Sequence, residues 1–233
     1  MLNWWLPENV STYGQDIDWL FHLIFVITGL TFLLVTATFL TFLVVYRDRP
    51  GRRARYTHGN TALEIVWTVV PALILVILTI LSVPAWSKIK MSMPPTDFVV
   101  EVTAKQFNWQ VTYPGPDGQF GTADDKQFLD EMHVPVGRPV RVNLKSQDVI
   151  HSFFVPQFRI KQDAVPGREL AAWFEVTKPG RYEWPCAELC GFGHSGMRGW
   201  IYAHAADDYA RWAAENLQAP AAPGAETKAE EKK

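Results

Sequence analysis

The chain has 233 residues, of which 48% are hydrophobic, and a formal charge of −2, enough length for one or two domains. That charge, without a basic stripe carrying interleaved aromatics, excludes a nucleic-acid-binding surface. Two cysteines exclude a disulfide-rich scaffold and leave one disulfide, one metal site or two free thiols.

Residues 1–18 carry only Glu8, Asp16 and Asp18 as charged side chains. From Trp19 to Tyr46 no Lys, Arg, Asp or Glu interrupts an apolar run, which exceeds the roughly 20 residues needed to cross a bilayer core. A cleaved signal peptide fits poorly, because no basic residue precedes the run and no small-x-small cleavage site follows it promptly. A second apolar run, Leu63 to Trp86, carries Pro71 and one acid, Glu64, near its start. Between them lies residues 47–62, with Arg47, Arg49, Arg52, Arg53 and Arg55 close together. Excess arginine marks the cytoplasmic side, so this loop is expected in the cytoplasm and both termini outside. Residues 19–86 thus read as a transmembrane hairpin embedded in lipid, with Trp4, Trp5, Trp19 and Trp86 as an interfacial belt. An ionisable group such as Glu64 at a membrane boundary is a functional candidate, though hydration is possible there. His22 and His58 stand alone and read as structural or solvated.

From residue 87 to 205 the pattern turns to short alternating segments. Strands are expected at Phe98–Thr103, Phe107–Tyr113, Val140–Leu144, His151–Val155, Ala171–Val176, Arg181–Trp184 and Gly199–His204, separated by Pro/Gly turns. Such a series reads as an antiparallel sandwich or Greek-key barrel. Pro114–Asp125 reads as a hairpin insertion. Its clustered acids lack the full ladder and terminal glutamate of a calcium loop, so a solvated turn is the simpler reading and ion binding stays open. Residues 206–233 form a tail, with an Ala-rich helix over Ala205–Leu217 and a disordered end over Pro220–Lys233. No C-x-x-C-H occurs, so no covalently attached c-type haem is fused here.

The chemistry concentrates in Cys186–Met197, where Cys186, Cys190, His194 and Met197 follow one another as C-x3-C-x3-H-x2-M. His151 is a further candidate on an earlier strand. An exported cysteine pair alone suggests a disulfide, and two Cys with two His suit zinc. Neither accounts for Met197 or for the lack of charge between Leu189 and Met197. Thiolate, imidazole and thioether together favour copper. Two thiolates can bridge two copper ions, with His151 and His194 at the ends, and with Met197 and a backbone carbonyl near Glu188 as weak ligands. Cupredoxin-like barrels assemble sites in this way, from one strand histidine and one late loop.

These residues resemble subunit II of haem–copper cytochrome c oxidase. The likeness rests on Cys186-x-Glu188-x-Cys190-Gly191-x-x-His194-x-x-Met197 and Asp148-x-x-His151-Ser152. It extends to Lys161-x-Asp163-Ala164-x-Pro166-Gly167-Arg168 and to Leu63–Ala72, and covers about residues 15 to 205. The resemblance implies a two-helix transmembrane hairpin followed by an all-β cupredoxin-like Greek-key domain holding the dinuclear copper centre CuA. It implies that Cys186 and Cys190 bridge the coppers, that His151 and Met197 complete one, and that His194 and the Glu188 carbonyl complete the other. By the same likeness the Glu188 carboxylate reaches a magnesium ion shared with the catalytic subunit, and Glu64 lies at the mouth of a proton pathway. The implied partners are a haem-containing oxidase subunit I, other oxidase subunits and a c-type cytochrome donor, in a bacterial inner membrane with the copper domain periplasmic. This chain would pass electrons on, and oxygen would be reduced in the partner, coupled to proton pumping.

The sequence departs from the family at one place. Phe107 stands where the family's first electron-accepting Trp lies, Asn108 replaces a further aromatic, and Trp109 persists; Phe107 and Trp109 are thus the candidates for electron arrival. Between Trp86 and His204 there are thirteen basic and thirteen acidic side chains, so steering of a basic cytochrome would rest on Asp124, Asp125, Asp130 and Glu131. A membrane-anchored copper-binding or copper-delivery protein without an oxidase partner is the alternative; Glu64 and Glu188 speak against it.

Overall fold

A computed structural model of the chain describes residues 6–53 and 56–217. Trp4, Trp5, Arg55 and the Pro220–Lys233 tail lie outside the described residues. Two compact units form, residues 13–93 and residues 1–12 together with 94 onward.

The first unit holds two helices, α1 (Gly14–Val45) and α2 (Thr61–Trp86), the second running on into one π-helical turn, Ser87–Met91. Both are long and apolar enough to cross a membrane. At about 1.5 Å per residue, the 32 residues of α1 outreach a hydrocarbon core of roughly 30 Å. The helix begins at Gly14, five residues before the apolar run, because nothing in Gln15–Asp18 opposes a helical first turn. Thr28, Thr31, Thr41 and Thr79 donate their hydroxyls to carbonyls one turn back, which satisfies these hydroxyls where lipid offers no acceptor. Asn60 caps α2 by accepting from the Leu63 N–H at 3.2 Å. Lys88 meets Asp16 at 2.9 Å, which joins the start of α1 to the end of α2 and makes the pair an antiparallel hairpin.

The second unit is all-β except for one helix. A five-stranded sheet runs in the order β3 (Lys126–Leu129), β2 (Asn108–Tyr113), β1 (Val99–Lys105), β5 (Val140–Ser146), β8 (Leu170–Phe174). A three-stranded sheet has β4 (Glu131–Pro135), β10 (Arg198–His204) and β9 (Gly180–Pro185), and β6 (His151–Val155) pairs with β7 (Ile160–Ala164). Strict alternation in β1 buries Val100, Val102 and Ala104 on one side. Trp109 of the first sheet and Trp184 of the second meet with ring centroids 4.9 Å apart, and Phe153 lies 4.8 Å from Trp184. Each such fully buried aromatic contributes about 1.5–3 kcal/mol relative to exposure, so these three rings fasten the sheets together.

The expected all-β domain is present, with two differences from a purely antiparallel sandwich. β1 runs parallel to β5, and β4 parallel to β10, because the chain passes through other strands before returning in its original direction. Three strands were not expected. β3 and β4 follow the turn at Pro114–Asp125, and β7 includes Lys161–Asp163. The first strand spans Val99–Lys105, and Phe107 sits in the turn before β2.

The segment before the helices belongs to this unit. Val10 N–H donates to Gln157 O, Thr12 N–H to Glu175 O, and Thr177 N–H to Val10 O. The terminal helix α3 (Ala206–Asn216) lays Trp212 flat on His133, centroids 4.1 Å apart and 8° from parallel.

Candidate metal centre

Three connections meet at one end of the β unit: the β1–β2 turn (Gln106, Phe107), the loop before β6 (Asp148–Ile150) and the loop between β9 and β10. Hydrogen bonds tie them together. Gln106 donates its backbone N–H to Asp148 Oδ2 at 2.7 Å and its side-chain amide to Cys190 O at 2.6 Å. Cys186 N–H donates to Met197 O and Ala187 N–H to Ser152 O, which closes the late loop on itself and against β6.

Inside this knot the donor atoms of the sequence motif converge. Cys186 and Cys190 are both free and buried, with Sγ atoms 3.9 Å apart. A disulfide needs about 2.05 Å, so the thiols are not bonded. The gap is shorter than two metal–thiolate bonds of about 2.3 Å each, so a common ion can lie between them. His151 Nδ1 is 3.8 Å from Cys186 Sγ, and the Glu188 carbonyl oxygen is 3.3 Å from the same sulfur. His194 Nδ1 is 3.5 Å and Met197 Sδ 3.8 Å from Cys190 Sγ. His151, Cys186 and Cys190 place their ligand atoms within 4.8 Å of one another. The six donors therefore form an elongated set: two sulfurs in the middle, one imidazole beside each, and one weak donor beside each.

Protonation follows from surroundings. Burial, then the neighbouring Cys186, pushes the Cys190 thiol up to about 11; two thiols crowded in an apolar pocket call for cations to become thiolates. His151 is completely buried, and its Nε2 lies 2.9 Å from Asp148 Oδ1. A carboxylate there accepts, so Nε2 carries the proton and Nδ1 turns its lone pair toward the thiols. Burial raises the Asp148 carboxyl, but donors from Gln106, His151 and Val149 outweigh it and leave the pKa below the ordinary value.

Asp148 and Gln106 are the residues that ligand counting alone does not find. The Asp three residues before His151 was a usable signal; Gln106, 80 residues from the loop it holds, had none. Glycines permit the close approach of Phe107. A Cβ on Gly193 would stand 2.5 Å from the Phe107 ring, and Gly191 has φ +133.

The other candidates are placed elsewhere. Trp109 is fully buried, 6.0 Å from the His151 ring, and no docking protein can touch it; Phe107 is partly exposed over the loop. The Glu188 side chain is exposed. Glu64 lies in the first turn of α2, exposed, its backbone N–H donating to Asn60 O. Of the expected steering acids, Asp124 accepts from Thr122, Asp125 from Gly121 N–H and Asp130 from Trp109 N–H, and Glu131 is exposed. Burial raises the Asp130 carboxyl. The Asp117–Asp125 carboxylates spend their acceptors on their own turn, as a solvated loop does.

Comparison with known proteins gives the same reading for both units. Family profiles match at residues 2–85 for the transmembrane domain of cytochrome c oxidase subunit II, and at residues 117–203 for its periplasmic domain. Cytochrome c oxidase subunit 2 of Thermostichus vulcanus is 32% identical, over 94% of this chain and 80% of that protein. The Cereibacter sphaeroides subunit is 32% identical, over 88% and 77% respectively. The crystal structure of the periplasmic domain of subunit II (CoxB) of Bradyrhizobium japonicum is 30% identical and covers 54% of this chain and 96% of that one, with a TM-score of 0.48.

Proposed function

The chain belongs to the cytochrome c oxidase subunit II family, and on that premise we propose that it is the electron-receiving subunit of a respiratory oxidase, holding a dinuclear copper centre. The observation that carries the proposal is the paired donor set, with two free thiols 3.9 Å apart and an imidazole and a weak donor beside each. Copper bound by these residues supplies one-electron transfer from a c-type cytochrome toward the haem of a catalytic subunit.

The chain's own residues prepare that chemistry. Cys186 and Cys190 would bridge, His151 and Met197 would complete one copper, and His194 and the Glu188 carbonyl the other. Asp148 holds the His151 tautomer, and Gln106 fixes the Cys190 carbonyl. Trp109, Phe153 and Trp184 keep water from the buried side. A rigid, dry ligand cage moves little when its charge changes, which lowers the barrier to electron transfer. The Glu188 carboxylate is assigned to a magnesium ion shared with the catalytic subunit, and Glu64 to the mouth of a proton pathway. Oxygen reduction and proton pumping take place in that partner.

The chain is membrane-anchored through α1 and α2. We place the arginine loop in the cytoplasm and the β domain, with both termini, on the periplasmic face. The bonds from Val10 and Thr12 to the β domain support this, since segments that pair lie on one side of the bilayer. Membranes from cells producing the chain test the whole reading. Solubilised protein should carry a haem-containing partner and give an electron paramagnetic resonance spectrum with hyperfine coupling to two coppers. Purification alone with a mononuclear signal would mark it instead as a copper-binding or delivery protein.

A further inference from the structure

A cationic cavity is built at the C-terminal end of α1. Phe42, Tyr46, Arg47, Arg49, Arg52 and Arg53 line about 920 Å³ of space, toward the upper end of the roughly 300–1,000 Å³ of small-ligand sites. Its aromatic part is Phe42 and Tyr46, which meet edge to face with ring centroids 5.4 Å apart. Arg52 fastens the loop to the helix: its Nη1 donates to Val45 O at 2.5 Å, and its guanidinium carbon lies 5.8 Å from the Tyr46 centroid. Arg52 N–H also donates to Arg49 O at 3.1 Å, closing a turn in which Gly51 takes φ +80. Among the described residues, Arg47, Arg49 and Arg53 form no ion pair, and Asp48 is the one carboxylate lining the cavity. The bias that orients a membrane protein asks only for basic charge near a helix end. It does not ask four guanidiniums to line one cavity, where they repel each other unless an anion lies between them.

We propose that this cavity binds the phosphate of an anionic phospholipid, whose acyl chains lie along α1. The inference rests on membrane anchorage through α1 and α2, and it is independent of the copper chemistry. Three observations select this occupant. The guanidinium fork matches phosphate oxygens two at a time. Phe42 and Tyr46 close the apolar run of α1, so the cavity opens at the depth where headgroup meets hydrocarbon, and basic pockets at that level take anionic headgroups. Below them Phe39, Phe42 and Leu43 are exposed and follow one another at helical spacing, which offers the acyl chains one continuous apolar face.

The test titrates the detergent-purified full chain with phosphatidylglycerol or phosphatidylcholine and counts bound lipid by native mass spectrometry. A basic side chain near an anionic headgroup is worth about fivefold in affinity. Phosphatidylglycerol should therefore bind about thirtyfold or more tightly than phosphatidylcholine, and added salt should shrink that preference. Replacing two arginines, Arg49→Gln with Arg53→Gln, should remove most of the preference and leave phosphatidylcholine binding as in the parent. Arg49→Lys with Arg53→Lys should retain a large part of it, and Arg138→Gln, in the β domain, all of it. Glycerophosphoglycerol, the same headgroup without acyl chains, should not compete at equal concentration. Equal binding of the two lipids, or an unchanged preference in the double Gln variant, would overturn the proposal. Competition by the free headgroup would overturn it in favour of a soluble-anion site. Loss of the haem partner from membranes carrying the double Gln variant would assign the arginines to the catalytic subunit instead.

Discussion

At the scale of single residues, the centre depends as much on what holds the ligands as on the ligands. Asp148→Ala removes the acceptor that fixes the His151 proton on Nε2. An altered supporting partner of this kind lowers metal affinity by about 10–100-fold, and competition with a copper chelator should read that loss without unfolding. Met197 lies 3.8 Å from Cys190 Sγ, and thioether is a weak ligand. Met197→Leu should therefore keep both coppers and shift the reduction potential, as voltammetry would show; loss of copper would contradict its role. The donor residues that the structure brings together were legible in the sequence because soft-metal chemistry admits few residue types. Gln106 was not, since its amide serves the centre only through a fold that brings residue 190 to it. Trp109 and Phe107 could not be ranked by sequence either, because burial separates them and burial is a property of the whole sheet.

At the scale of elements, α3 is held by an aromatic stack with a titratable middle. His133 lies between Tyr202 and Trp212, 4.7 and 4.1 Å from their rings, and its Nδ1 is 2.9 Å from His204 Nε2. Burial, and then the neighbouring His204, lowers the His133 pKa to about 4, and burial lowers His204 as well. The unfolded or undocked chain therefore binds more protons between about pH 6.5 and 4. Stability from this contact is complete above that window and declines as pH falls through it. After discounting for solvent, because His133 is only half-buried, the effect is about 1–2 kcal/mol. Hydrogen exchange in Ala206–Asn216 should accelerate at pH 4.5 relative to pH 7.5, and Trp212→Ala should give that acceleration at both values. The helix itself was readable from its composition and charge. β3, β4 and β7 were not, because they are short and expose charged or polar residues on one face, so their pairing comes from neighbours rather than from their own pattern.

At the scale of the molecule, the hairpin was the most legible part, since lipid imposes length and apolarity on any helix that crosses it. Its direction rests on the arginine loop. Replacing Arg47, Arg49, Arg52 and Arg53 by Gln should yield a mixed population by protease protection in spheroplasts, because the bias that retains the loop is then nearly gone. Sheet topology was less readable, because parallel pairs such as β1 with β5 join residues about 40 positions apart. The longest of these separations concerns the strap at Val10–Thr12, whose partners are Gln157, Glu175, Val176 and Thr177. Residues made early thus bond to residues made some 150 to 170 positions later. At about 5–20 residues per second, the strap waits on the order of 10–30 s before its place in the fold exists. The strap therefore closes only after the strands that receive it have been made.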